Sequence, residues 1–143
     1  FTVKQSPTEV FAAVANPRAW WSEGIKGTTN ALGGVFTYHY GKVHRVKMEI
    51  SEYVPGERIT WTVLNNHFSF TVDKTEWKGT QIVFEIAKKG SGSELRFTHR
   101  GLVPEYECYD VCRTAWGSCI GGSLKSLIAT GKGRPNPMEG VAR

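Results

Sequence analysis

The stretch from Pro104 to Thr130 constrains this chain more than any other, because it reads as one long helix with a broad side that must be covered. Pro104 suits the first helical position, where a missing N–H costs nothing. Glu105 and Glu107 sit in the first turn, on the favourable side of the helix dipole. Gly131 supplies the left-handed stop, with Lys132 beside it and Pro135 beyond. At roughly 100° per residue, Cys108, Cys112, Trp116, Cys119, Ile120 and Leu127 share one side, widened by Ala115, Leu124 and Ile128. Glu107, Asp110, Thr114, Ser118 and Lys125 gather opposite. So wide an apolar stripe predicts a helix lying in a concave sheet.

Gly117, Gly121 and Gly122 lie inside that helix, each costing about 1 kcal/mol relative to alanine. Two explanations stand side by side. Another backbone approaches closely, or the missing side chains leave a hollow beside Trp116 and Leu124.

Upstream, Phe1 to Gln5 reads as a first strand. Ser6-Pro7-Thr8-Glu9 has the form of a capping box, with Ser6 as N-cap and Glu9 reaching back. Val10, Phe11 and Val14 give that helix its buried side, and Asn16-Pro17 starts a shorter one ending at Trp20-Trp21. Gly24, Gly27, Gly33 and Gly34 then mark a loop.

From Val35 to Arg100 the period changes to two, with turn signals at Gly41-Lys42, Pro55-Gly56 and Gly90-Ser91-Gly92. Hairpin register is testable here, because paired strands must present their apolar sets to the same face. A three-residue loop, Gly41 to Val43, sets Tyr40 against His44 and Tyr38 against Val46. An even loop at Pro55-Gly56 pairs Ile50 with Trp61. A loop from Lys89 to Gly92 pairs Phe84 with Phe97 and Ile82 with His99. One apolar face results, carrying Phe36, Tyr38, Tyr40, Met48, Trp61, Phe84, Phe97 and His99. His39 points out and His44 points in. Phe68 and Phe70 either extend a strand or line an opening. The order predicts an α+β fold: a curved antiparallel sheet wrapped around the closing helix, with two short helices after the first strand. A single domain over residues 1–131 and a tail over 132–143 are expected.

Several stretches resemble the helix-grip superfamily known as SRPBCC or START-like. Within it the chain is similar to domains related to the activator of the heat-shock protein 90 ATPase. The resemblance rests on Ser6-Pro7-Thr8-Glu9-Val10-Phe11 with Trp20-Trp21, then Tyr53-Val54-Pro55-Gly56-Glu57-Arg58-Ile59. Thr75-Glu76-Trp77-Lys78-Gly79-Thr80, the run from Glu94 to Leu102, and Ser123-Leu124 through Gly131-Lys132-Gly133 complete it. It implies apolar ligands held between sheet and helix, cyclase activity, or assistance to a chaperone. It carries no catalytic motif onto these residues.

The chemistry legible in the residues is sparse. There is no phosphate loop before a helix, no Gly-x-Ser-x-Gly elbow, and no metal spacing among the four histidines. A net charge of +5 is scattered without basic runs, which argues against nucleic-acid binding. No apolar run approaches a membrane span, and no signal peptide is recognisable. All three cysteines lie in the closing helix, which predicts free thiols and a reducing cytoplasm. Cys119 falls about 10 Å along the axis from Cys112, too far to share a metal.

These readings favour a domain that binds a small apolar or amphipathic molecule, without cofactor or evident catalytic residue, as a monomer or homodimer. The expected ligand-binding residues on the sheet side are Tyr38, Tyr40, Met48, Trp61, Phe84, Phe97 and His99. Trp21, Trp116 and Ile120 join them from the helices. His99 is either a hydrogen-bonded core histidine or a pocket contact and general base. The alternatives are a chaperone ATPase-activator-like interaction module, and a cyclase or hydrolase using His99 and tyrosines.

Overall fold

The computed structural model describes residues 1–40, 44–68, 77–102 and 109–135. Seven strands form one antiparallel sheet: β1 (Thr2–Val3), β2 (Lys26–Gly27), β3 (Val35–Tyr40), β4 (His44–Val54), β5 (Arg58–Phe68), β6 (Gln81–Lys89) and β7 (Gly92–Arg100). Their spatial order is β1-β7-β6-β5-β4-β3-β2. Between β1 and β2 stand α1 (Pro7–Val14) and a 3-10 turn, Pro17–Ala19. The closing helix runs over 109–130 as α2 (Tyr109–Trp116), a π-helical segment (Gly117–Leu124) and α3 (Lys125–Thr130). This is the predicted helix-grip α+β fold.

The sequence-based register holds at each hairpin, with one instructive difference. Tyr40 pairs with His44 and Tyr38 with Val46, as the odd loop requires. Phe84 faces Phe97 and Ile82 faces His99 across a turn of only Gly90-Ser91. Ile50 does pair with Trp61, but the nearest pair to the turn is Val54 with Arg58, so that loop has odd length. An extra residue on β4, Ser51, restores the parity as a β-bulge. Its hydroxyl lies 2.8 Å from that of Thr62, on the outer face. A second bulge, at Leu64 on β5, turns that strand again. Such bulges bend the strands that carry them and increase the local twist, as a concave sheet requires.

Phe36, Met48, Trp61 and Phe84 are almost fully buried on the concave face. At the start of α1, Ser6 Oγ accepts from the Glu9 amide at 3.2 Å. The Glu9 carboxylate takes the Ser6 hydroxyl rather than the Ser6 amide expected of a capping box. The two-residue strand β2 pairs with β3 through Gly27 at φ +112°, inside a stretch that reads as loop.

The closing helix differs from the uniform α-helix expected. The Lys125 amide reaches back to the Ile120 carbonyl, the five-residue step of a π turn. In an α-helix, residues four apart drift by about 40°. The wider turn counters that drift, so Trp116, Ile120, Leu124 and Ile128 are all buried beneath one column. Ala115, expected to widen the apolar side, is exposed. Gly131 ends the helix at φ +83°, as predicted. Pro104 to Cys108 lie outside the described residues.

Candidate functional site

All five tryptophans of the chain meet between sheet and helix. Trp20 and Trp61 stack at 6.2 Å, Trp21 lies 5.9 Å from Trp61 and 5.1 Å from Trp116, and Trp77 stacks on Trp116 at 5.6 Å. Tyr38 stacks on Trp21 at 4.2 Å. Such aromatic pairs add to burial through their geometry. Trp21, Tyr38, Met48, Trp61 and Phe84 therefore sit together, packed into the core. Phe97 is half-buried and touches Trp116 at 5.0 Å. The backbone of Tyr40 pairs as expected, while the side chains of Tyr40 and His44 lie outside the described part. His39 is exposed, as predicted.

His99 is held from both sides. The indole Nε1 of Trp116 donates to its Nδ1 at 3.1 Å, and its Nε2 lies 2.8 Å from Thr80 Oγ1. An indole N–H can only donate, so Nδ1 is the acceptor and Nε2 carries the proton. Nε2–H then donates to Thr80, whose hydroxyl passes its own proton to the Trp77 carbonyl at 2.6 Å. Burial pushes the His99 pKa from 6.5 down to about 4. Its one basic lone pair is occupied by Trp116, and this arrangement is that of a neutral, hydrogen-bonded histidine.

Trp77 and Thr80 were not singled out as site residues from the sequence, although their motif carries the family resemblance. Trp77 is 4% exposed and meets His99 edge-to-face at 4.7 Å. The available signal was the Trp77-to-Thr80 turn before β6, whose Gly79 takes φ +82°.

Beside this cluster a groove of about 830 Å³ opens between β7 and the closing helix. Trp116 and Ile120 form its floor, with Phe97 and His99 on one wall and Gly117 and Gly121 on the other. A Cβ added at Gly117 or Gly121 would meet nothing within 4 Å. The close-approach explanation thus fails at these two positions, which are exposed and border the groove. At Gly122 an added Cβ would come 3.1 Å from the Arg134 guanidinium. Along β7, Leu95 exchanges backbone hydrogen bonds with Phe1 at 2.9 Å, away from β6. Alternation along the strand turns the Phe97 N–H and C=O the same way, toward the groove.

Cys112 is buried and Cys119 half-buried, and burial pushes the Cys119 pKa up. Cys108 lies outside the described residues. No described helix is long and apolar enough to cross a membrane.

The sequence profile of the family described as "Activator of Hsp90 ATPase homolog 1-like protein" matches residues 4–129. The chain belongs to this family. Solved structures share the fold. The Aha1 dimer from Colwellia psychrerythraea superposes with a TM-score of 0.74 at 20% identity, covering 93% of this chain and 95% of that one. Protein MLL2253 from Mesorhizobium loti gives 0.69 at 16% identity, covering 88% and 90%. CalU16 from Micromonospora echinospora gives 0.63 at 16% identity, covering 91% and 73%. No curated protein sequence matches the chain significantly.

Proposed function

We propose that this member of the Hsp90 ATPase activator-like family binds a small apolar or amphipathic molecule in the groove between β7 and the closing helix. The observation that carries the reading is the open space beside Gly117 and Gly121 above a floor of Trp116 and Ile120. An apolar floor with a few polar groups at its edge is the usual make-up of a ligand site. Here the polar groups are the Phe97 backbone and the rim guanidinium of Arg113. Phe97, His99, Trp116 and Ile120 line the site in this reading. Trp21, Tyr38, Met48, Trp61 and Phe84 form the packed wall behind it.

An anilinonaphthalene probe should bind and quench tryptophan fluorescence. Gly117→Leu fills the hollow and should abolish the quenching, with thermal stability kept or raised because a helix-interior glycine is removed. A wild-type protein that binds nothing from a panel of apolar probes would overturn the proposal. So would a Gly117→Leu variant that is folded and binds unchanged.

The family match also favours a second reading, an interaction module acting on a chaperone ATPase. Stimulation of a purified Hsp90 ATPase by this chain, retained in Gly117→Leu, would select it over the first.

A further inference from the structure

The convex face of the sheet is divided electrically. Over β5, β6 and β7, Arg58, Lys89 and Arg96 each have an acidic partner, and Arg100 donates to the Gln81 side chain at 3.0 Å. Arg58 pairs with Glu85 at 2.7 Å and with Glu52 at 3.6 Å, and Glu94 takes both Arg96 at 2.6 Å and Lys89 at 3.1 Å. Over β3, β4 and the end of β5 the pattern stops. The register sets His39 directly opposite Arg45, and Arg45 opposite His67. The next outward row sets Thr37 opposite Lys47 and Lys47 opposite Asn65.

These side chains border a depression of about 280 Å³ that has no carboxylate in its lining. Glu49 stands on the same face two residues from Lys47, outside the depression. Arg45 and Lys47 are exposed and make no ion pair among the described residues. Nitrogen-rich side chains directly opposite one another on a sheet have no mutual attraction to offset their crowding. The Nδ1 of His67 is buried without a hydrogen-bond partner among the described residues, which costs free energy unless a ligand supplies one.

We propose that this depression is an anion site for a phosphoryl group, separate from the groove on the other side of the sheet. The Arg45 guanidinium would grip two phosphoryl oxygens in its planar fork, and Lys47 would add a point charge. Thr37 and Asn65 offer neutral donors at the rim, and the two histidine rings flank the guanidinium.

Amide chemical shifts followed by NMR at low salt test this with two probes, inorganic phosphate and glycerol phosphate. Saturable shifts confined to residues around His39, Arg45, Lys47 and His67 are expected with at least one probe. Equal affinities identify free phosphate as the ligand, and tighter binding of the ester identifies a phosphorylated small molecule. Arg45→Gln should weaken binding about tenfold, the worth of one charge-assisted pair. Lys89→Gln, on the paired half of the face, should leave it unchanged. Non-saturating shifts spread over the whole surface would overturn the site. So would equal losses in the two variants, since the effect would then be general charge screening. Both variants are at the surface, and their amide spectra report directly whether the fold is kept.

Discussion

Trp116 donates its indole proton to His99 Nδ1 at 3.1 Å, and this one bond fixes the polarity of everything around it. The histidine must point its own proton at Thr80, and Thr80 must point its proton at the backbone of Trp77. The chain ties the closing helix, β7 and the turn before β6 into one unit, at the place where the groove begins.

A pH effect on stability follows. His99 has its pKa depressed from 6.5 to about 4 in the folded state. Between those values the unfolded chain binds the proton and the folded chain does not, so stability falls as pH drops through that window. The full contribution is present above about 6.5, and no more is lost below about 4. The loss approaches about 3 kcal/mol at about 1.4 kcal/mol per unit. Urea denaturation across this range should show it, and His99→Gln should flatten the profile relative to wild type. Parallel profiles in the two proteins would contradict the assignment.

Thr80→Val keeps the shape but removes the hydroxyl between His99 and the Trp77 carbonyl. The expected cost is about 1–3 kcal/mol, because the His99 Nε2–H loses its partner, while the Trp77 carbonyl keeps only the Thr80 amide at 2.9 Å. Thr80→Ser should recover most of it. Combining Thr80→Val with His99→Phe should cost less than the sum of the single changes, the sign of a shared network. Strict additivity would mean that the two side chains do not communicate.

Two glycines separate the reasons for having no side chain. A Cβ at Gly117 meets open space, whereas one at Gly133 would run into the Ala19 carbonyl. Gly117→Ala should therefore raise stability by up to about 1 kcal/mol. Gly133→Ala should lower the melting temperature by detaching the segment after the helix. The opposite ranking in a thermal melt would refute this account of the helix glycines.

Ser123 Oγ donates to the Trp20 carbonyl at 2.7 Å and accepts from the Arg134 amide at 2.6 Å. Ser123→Ala should accelerate hydrogen exchange at Arg134 while leaving the strand amides protected. Unchanged exchange there would show that other contacts hold the segment.

Much of this fold is legible in the residues, for a definite reason. A period of two leaves no freedom once one face is apolar, so Tyr38 opposite Val46 and Phe84 opposite Phe97 follow from parity alone. Parity counts residues but does not locate a bulge. The pair Ile50–Trp61 was therefore reachable while Ser51, which produces it, was not. The π segment escaped for a similar reason. A fixed 100° step assumes the helix it sets out to find, and Gly117 and Gly121 showed only that something there was unusual. In the site, His99, Phe97 and Trp116 were legible as inward residues near the helix start. Trp77 and Thr80 were not, because they act from a turn, where periodicity carries no information.

The tryptophan cluster has an optical consequence. Rings at these separations exchange excitation before they emit, so the five indoles behave as one antenna and not as five reporters. Trp116 is the member that forms the groove floor. A quencher that reaches that single ring should therefore dim the emission of the whole core.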